Sequence, residues 1–244
     1  VRRLTDAANG AKRYERGMSS VLESLRERAR RRRARIVLPE TSDPRTQEAR
    51  RRLEADELCE VVWVDDPRRD PRLPEVAKLL HTRRKHKGLG EAEALALASQ
   101  PVMFGAGLVA LGHADAGVTG ACHATADVIR AGLFCLGTQA AIPLVSSMFL
   151  MVRGDEVLSF ADCGVVPEPN SEQLADIAIA AADNYRAVTG ITSRVAMLSF
   201  STKGSAKHTA VDSVRQATEL AKNRRPDLII DGELQFDAAI APIV

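Results

Sequence analysis

Apolar positions along this chain follow two alternating rhythms. Between Ser20 and about Arg33, Val21, Leu22, Leu25 and Ala29 recur at helical spacing, whereas Ile36-Val37-Leu38 is the short continuous run of a buried strand. The turn-rich stretch from Pro39 to Pro44 then leads into a helix ending near Glu57, and Val61-Val62-Trp63-Val64 reads as a second strand. The segment Asp65–Pro74 carries three prolines among many charges, which predicts a surface loop. Helical patterns cover Glu75–Arg84, Glu91–Ser99 and Pro101–Leu111, and Ala116-Gly117-Val118-Thr119 is a strand running into a glycine turn. Repeated strand-then-helix order predicts a mainly parallel sheet with helices on both faces.

Near Pro143 the rhythm changes. Leu144–Val152 and Glu156–Phe160 are β-rich runs separated by Arg153-Gly154-Asp155, which suits a hairpin turn. Alternation resumes with a helix over Ser171–Val188, a strand at Val195–Phe200, a helix from about Ser205 to Asn223 and a last strand at Leu228–Ile230. The expected organisation is a polar extension over residues 1–20, a first α/β domain over 21–143 and a second, incomplete one over 144–244.

Composition narrows the picture. Hydrophobic residues make up 45% of the 244 residues but aromatics only 4%, so the core must be aliphatic. With 34 basic and 32 acidic residues the net charge is +2, which gives no global argument for a nucleic-acid or membrane partner. The arginine run from Arg26 to Arg35 has no interleaved aromatics for base stacking. It ends a predicted helix, where the dipole favours cations, so it reads as a solvated face. Cys59, Cys122, Cys135 and Cys163 share no CxxC spacing and are expected to be reduced thiols of a cytoplasmic protein. The first thirty residues lack an apolar signal region, and the apolar stretch Ile142–Val152 is too short and too interrupted to span a bilayer.

Chemistry is expected beyond the carboxyl ends of strands, where α/β sheets bind ligands. Ser201-Thr202-Lys203-Gly204-Ser205 offers hydroxyls, a cation and backbone N–H groups ahead of a helix, a pattern suited to an anion; Ser201 or Ser205 acting only as a helix cap is the alternative. Arg83-Arg84-Lys85-His86-Lys87-Gly88 is either a solvated basic helix end or a clamp for a phosphorylated substrate. Gly120-Ala121-Cys122-His123-Ala124-Thr125 leads from a glycine turn into a helix bearing Arg130. Adjacency of Cys122 and His123 in sequence does not make a nucleophile and base. Asp231, Glu233 and Asp237 form an acidic cluster after the last strand, with no histidine or third ligand at a spacing that would point to a metal.

These segments together resemble the phosphate acetyl/butyryltransferase family. The resemblance lies in Ala196–Ser205, Asp231–Ile240, Leu38-Pro39-Glu40-Thr41 with Asp43 and Arg45, Arg84–Gly88, and Thr119–His123, in family order from about Leu22 onward. It implies a three-layer α/β fold of two domains with a cleft, like isocitrate and isopropylmalate dehydrogenases, and a homodimer. The implied activity is reversible transfer of an acetyl group between acetyl phosphate and coenzyme A. CoA is then a substrate, with no cofactor and no metal.

By the same resemblance Arg84 and Arg130 are catalytic, positioning substrate and stabilising charge. Lys87, His123, Thr125, Ser201, Thr202, Lys203, Gly204 and Ser205 are implied to bind substrate. Attack by the CoA sulfur is direct, so no cysteine is assigned catalysis. The family's aspartate base lies in a C-terminal segment beyond the motif ending at Ile240, so the chain is expected to be C-terminally truncated. A non-catalytic module binding acyl-CoA or acyl phosphate is the alternative expectation.

Overall fold

The computed structural model describes residues 20–140, 142–154 and 156–241. The extension expected over residues 1–20 therefore lies, apart from Ser20, outside the described residues. Two compact units are present. Arg26–Thr138 forms the first; the described residues from Gln139 onward form the second, with Ser20–Leu25 grouped with it. The boundary between these units follows Thr138 and also passes through the first helix, α1 (Ser20–Arg32).

The first unit is built on a three-stranded parallel sheet of order β2-β1-β3. Its strands are β1 (Arg35–Val37), β2 (Glu60–Val62) and β3 (Ala116–Gly117). Ile36 lies level with both Val61 and Ala116. Arg35 ties the sheet's start through a two-pronged pair with Asp115. Around the sheet stand α2 (Pro44–Ala55), α3 (Leu73–Arg84), α4 (Glu91–Ala98), α5 (Pro101–Ala110) and α6 (Thr125–Cys135). Helix α2 begins where Asp43 caps it, its carboxylate accepting the Arg45 N–H, with Pro44 supplying a preset φ at the first position. Val37, Val76, Leu80, Phe104, Leu108, Ala131 and Cys135 fill the core. Full burial of Leu80 and Leu108 stabilises the unit by about 2 kcal/mol each. The loop after β2 is not wholly at the surface: Pro67 is buried at the start of a short 3-10 turn, Pro67–Arg69.

The second unit pairs β6 (Arg194–Leu198) with β7 (Ile229–Leu234) in parallel, joined by α8 (Thr209–Arg224), with α7 (Ser171–Thr189) packed beside α8. An antiparallel hairpin, β4 (Met148–Arg153) and β5 (Glu156–Ala161), and a short α9 (Phe236–Ile240) complete it. Small residues let the layers approach: Ala175, Ala178, Ala217 and Ala221 meet Ile179, Met197 and Ile230. At Gly232 a Cβ would lie 2.6 Å from the Met197 Cβ and 2.7 Å from the Thr218 hydroxyl, so only glycine lets β7 sit this close to β6 and α8.

The parallel pairing is divided between two small sheets rather than one, and two boundaries differ from the reading of the sequence. Strand β7 continues through Asp231-Gly232-Glu233-Leu234, so Asp231 and Glu233 are strand residues and not a cluster beyond the strand. Helix α8 starts at Thr209, four residues after Ser205, and His208 caps it by accepting the Ala210 N–H on its ring nitrogen. The Ser201–Ser205 loop is thus a separate turn, without a helix N-terminus behind it. Among the described residues no single helix is long and apolar enough to cross a membrane; α4 and α5 meet the compositional test only together and are bent by 100°.

Candidate functional site

In the first unit one buried carboxylate organises everything at the end of β1. Glu40 is 3% exposed. One of its oxygens accepts the N–H groups of Gly120 and Ala121 at 2.7 and 2.8 Å. The other accepts those of Cys122 and His123 at 2.9 and 3.1 Å. The His123 Nδ1 lies 2.7 Å from that second oxygen and the Cys122 Sγ 3.4 Å. Four successive N–H groups turned inward make a concavity that suits an anion, and here the protein's own Glu40 fills it. Burial alone raises the carboxyl, but the N–H groups of Cys122 and Ala121 and the His123 ring outweigh it and hold Glu40 well below the usual carboxylate range. Arg45 locks the arrangement from outside, gripping Asp43 and donating to the Ala121 carbonyl.

The loop so held delivers α6. Arg130 stands on the exposed side of that helix, paired with Asp127 at 3.4 Å. One turn further on, Phe134 carries the Arg84 guanidinium 3.9 Å above its ring. Residues four apart on a helix are neighbours on its surface, their Cβ atoms about 5–6 Å apart, so Arg84 and Arg130 share one side of the first unit. Among the described residues no carboxylate pairs with Arg84 or Lys87, and Lys87 is exposed on a short 3-10 turn closed by Gly88. Arg83 is committed elsewhere, donating to the Leu136 carbonyl. His123 is engaged by Glu40, and Thr125 is exposed in the first turn of α6. The sequence pattern did not identify Phe134 as the seat of Arg84, or Glu40 as the hub; a carboxylate placed between a strand end and a turn is the signal that points to Glu40.

Burial and the neighbouring Glu40 raise the Cys122 thiol. Cys135, buried in the core, is pushed up to about 12 by desolvation. Neither is an activated nucleophile.

The second unit repeats the device with different partners. Glu233 is 2% exposed on β7. Arg215 from α8 grips both its oxygens at 2.8 and 3.0 Å, and Gly204 N–H and the Ser201 hydroxyl donate to it at 2.7 and 3.1 Å. The Arg215 guanidinium holds this carboxyl well below the usual carboxylate range, against the cost of burial. Ser201 is fully buried, and its hydroxyl also accepts the Ala206 N–H. The Ser205 hydroxyl accepts the Thr202 N–H, and the Thr202 hydroxyl accepts that of Gln235. Lys203 and Gly204 both take positive φ, +45° and +91°, which folds the loop back on β7. There the Lys203 ammonium meets Asp231 and the Gly232 carbonyl. Of the five loop residues, Lys203, Gly204 and Ser205 are exposed, whereas Ser201 is structural in its burial. Arg215 is invisible to motif reading, because an arginine in mid-helix carries no signal of its partner.

A third hub, also not anticipated, is Asp162 after β5. It accepts from the Ser147 N–H and hydroxyl and from the N–H groups of Cys163, Val165 and Val166, closing the turn that follows the hairpin.

Known proteins match this chain over most of its length. Residues 20–244 match the family model described as phosphate acetyl/butaryl transferase. The phosphate acetyltransferase of Thermoanaerobacterium thermosaccharolyticum is 38% identical over 247 residues, covering 91% of this chain and 75% of that protein. That of Nitratidesulfovibrio vulgaris is also 38% identical, but the 89% of this chain that aligns spans only 34% of it. Among solved structures, a phosphotransacetylase from Streptococcus pyogenes superposes with a TM-score of 0.84 at 35% identity, covering 92% of this chain and 76% of that one. The α/β fold, the matched span and the identity to these relatives agree: this chain belongs to the phosphate acetyl/butaryl transferase family.

Proposed function

We propose that the protein is an acyltransferase that moves an acetyl group between coenzyme A and phosphate. In the thioester-forming direction the CoA thiolate attacks the acetyl carbon of acetyl phosphate, the carbon–oxygen bond breaks and phosphate leaves. The chemistry needs positive charge where the leaving phosphate develops its negative charge. The observation that carries the reading is the pair of arginines on α6 and at its side: Arg84 seated on Phe134, one helical turn from Arg130. Arg84 has no carboxylate partner among the described residues, and the Arg130–Asp127 pair is exposed on both sides. Such a pair contributes at most about 1 kcal/mol, so Arg130 is available to an anionic substrate.

In this reading Arg84 and Arg130 hold the phosphoryl group and stabilise the leaving charge, while Lys87, His123 and Thr125 contact substrate from the same unit. In the second unit the loop Thr202, Lys203, Gly204 and Ser205 is assigned to substrate contact through its exposed residues Lys203, Gly204 and Ser205, with Ser201 as its buried anchor. No protein thiol takes part, in keeping with the raised thiols of Cys122 and Cys135. The proposal includes an isocitrate dehydrogenase-like arrangement of two α/β domains, a cytoplasmic homodimer and catalysis without a cofactor.

The test is CoA-dependent consumption of acetyl phosphate by the purified protein, beside Arg130→Ala. Removing one preorganised charge-stabilising donor lowers turnover by roughly 10². Turnover in the variant equal to that of the parent removes Arg130 from the reaction.

A further inference from the structure

We propose that Glu40, Cys122 and His123 form a binding site for a thiophilic divalent cation of the zinc class. Among the described residues these are the one group of three potential ligands whose donor atoms lie within 4.8 Å of one another. The inference goes beyond acyl transfer and does not depend on it.

The geometry is specific. The Cys122 Sγ lies 3.4 Å from the Glu40 carboxylate oxygen and 3.7 Å from the His123 Nδ1, and that nitrogen lies 2.7 Å from the same oxygen. A tetrahedral zinc ion with ordinary bond lengths sets sulfur–oxygen and sulfur–nitrogen separations of about 3.5 Å and a nitrogen–oxygen separation of about 3.4 Å. Two of the three edges already match. The third is short because a hydrogen bond occupies it, and it lengthens when the proton is replaced by a metal.

The convergence of the contacts supports the site. The His123 Nδ1 and the Cys122 thiol both point at the same Glu40 oxygen. Two further ligand atoms therefore converge on one carboxylate oxygen, and a single cation can sit among the three, with the thiol giving up its proton on binding. The four backbone N–H groups that hold Glu40 keep their places. Cys122 is exposed and His123 half-buried, so the remaining coordination position opens to water. Arg45, which donates to the neighbouring Ala121 carbonyl, is neutralised by the two-pronged grip of Asp43.

The experiment is titration of the whole protein with cobalt(II), followed by its sulfur-to-metal charge-transfer absorption in the near ultraviolet, and then displacement by zinc(II). The expected result is one equivalent bound with a thiolate band, loss of the band in Cys122→Ser, and at least tenfold weaker binding in His123→Gln. Both substitutions leave Glu40 in place, and Cys163→Ser serves as the control that keeps the band. Absence of a thiolate band in the parent protein, its persistence in Cys122→Ser, or unchanged affinity in His123→Gln overturns the proposal.

Discussion

The loops of residues 120–123 and 201–205 solve one problem in two ways. Each lies beside the carboxyl end of a parallel strand, and each is pinned by a glutamate buried to within a few per cent. Glu40 faces four backbone N–H groups and a histidine ring, with no guanidinium on it. Glu233 faces an arginine, a serine and one N–H. The consequence for charge is opposite. In the first unit the carboxylate is satisfied by the backbone, so the cations of α3 and α6 stay free of deep ion pairs. In the second, Arg215 and Lys203 are both committed to carboxylates. The first unit thus leaves Arg84 and Lys87 without a carboxylate partner among the described residues, whereas in the second the N–H groups of Thr202, Lys203, Gly204 and Ser205 are all spent within the loop and on Glu233.

Acid acts on both loops and has the largest expected effect. The folded carboxyls of Glu40 and Glu233 lie below the usual unfolded value of about 4.3. Their stabilisation is therefore complete above that pH and is lost as pH falls through the depressed folded values. Asp43, lowered to about 2 by Arg45, adds to the same acid window. A denaturant midpoint that stays constant from pH 5 down to about 2 contradicts the assignment.

The comparison sharpens when the charges are removed singly. Glu40→Gln leaves N–H donors facing an amide that also donates, costing about 3 kcal/mol, since no counter-ion rearranges to help. In hydrogen exchange, protection of Gly120–His123 falls by about 10²-fold while the Ser201–Ser205 loop is unchanged. Gly232→Ala forces Met197 and Thr218 apart and costs on the order of 2 kcal/mol, read as a lowered Tm with exchange confined to β6, β7 and α8. Glu233→Gln is the mildest, about 1.5 kcal/mol, because the amide oxygen still accepts from Arg215 and the partly exposed guanidinium hydrates. Equal losses for the two glutamates would break the comparison.

Much of the fold was legible because hydrophobic period and turn residues agree locally. The capped start of α2 at Asp43-Pro44 and the hairpin about Gly154 follow from such signals. The misplacements occur where a long-range contact overrides the local one. β7 extends because Glu233, polar in sequence, is buried against Arg215 eighteen residues earlier. α8 starts late because the Ser205 hydroxyl closes a turn on Thr202, leaving His208 to cap the helix. Arg84 and Arg130 stand out in the sequence only as motif residues. Their seating was not legible, since the Arg84–Phe134 contact joins positions fifty residues apart.

The most direct test of the account is kcat/KM for acetyl-CoA formation by Arg84→Lys, measured beside the parent protein. Lysine keeps the charge but loses the planar fork that can lie on Phe134 and grip two phosphate oxygens at once. The account predicts a fall of at least tenfold with the fold intact by circular dichroism; kinetics indistinguishable from the parent would contradict it.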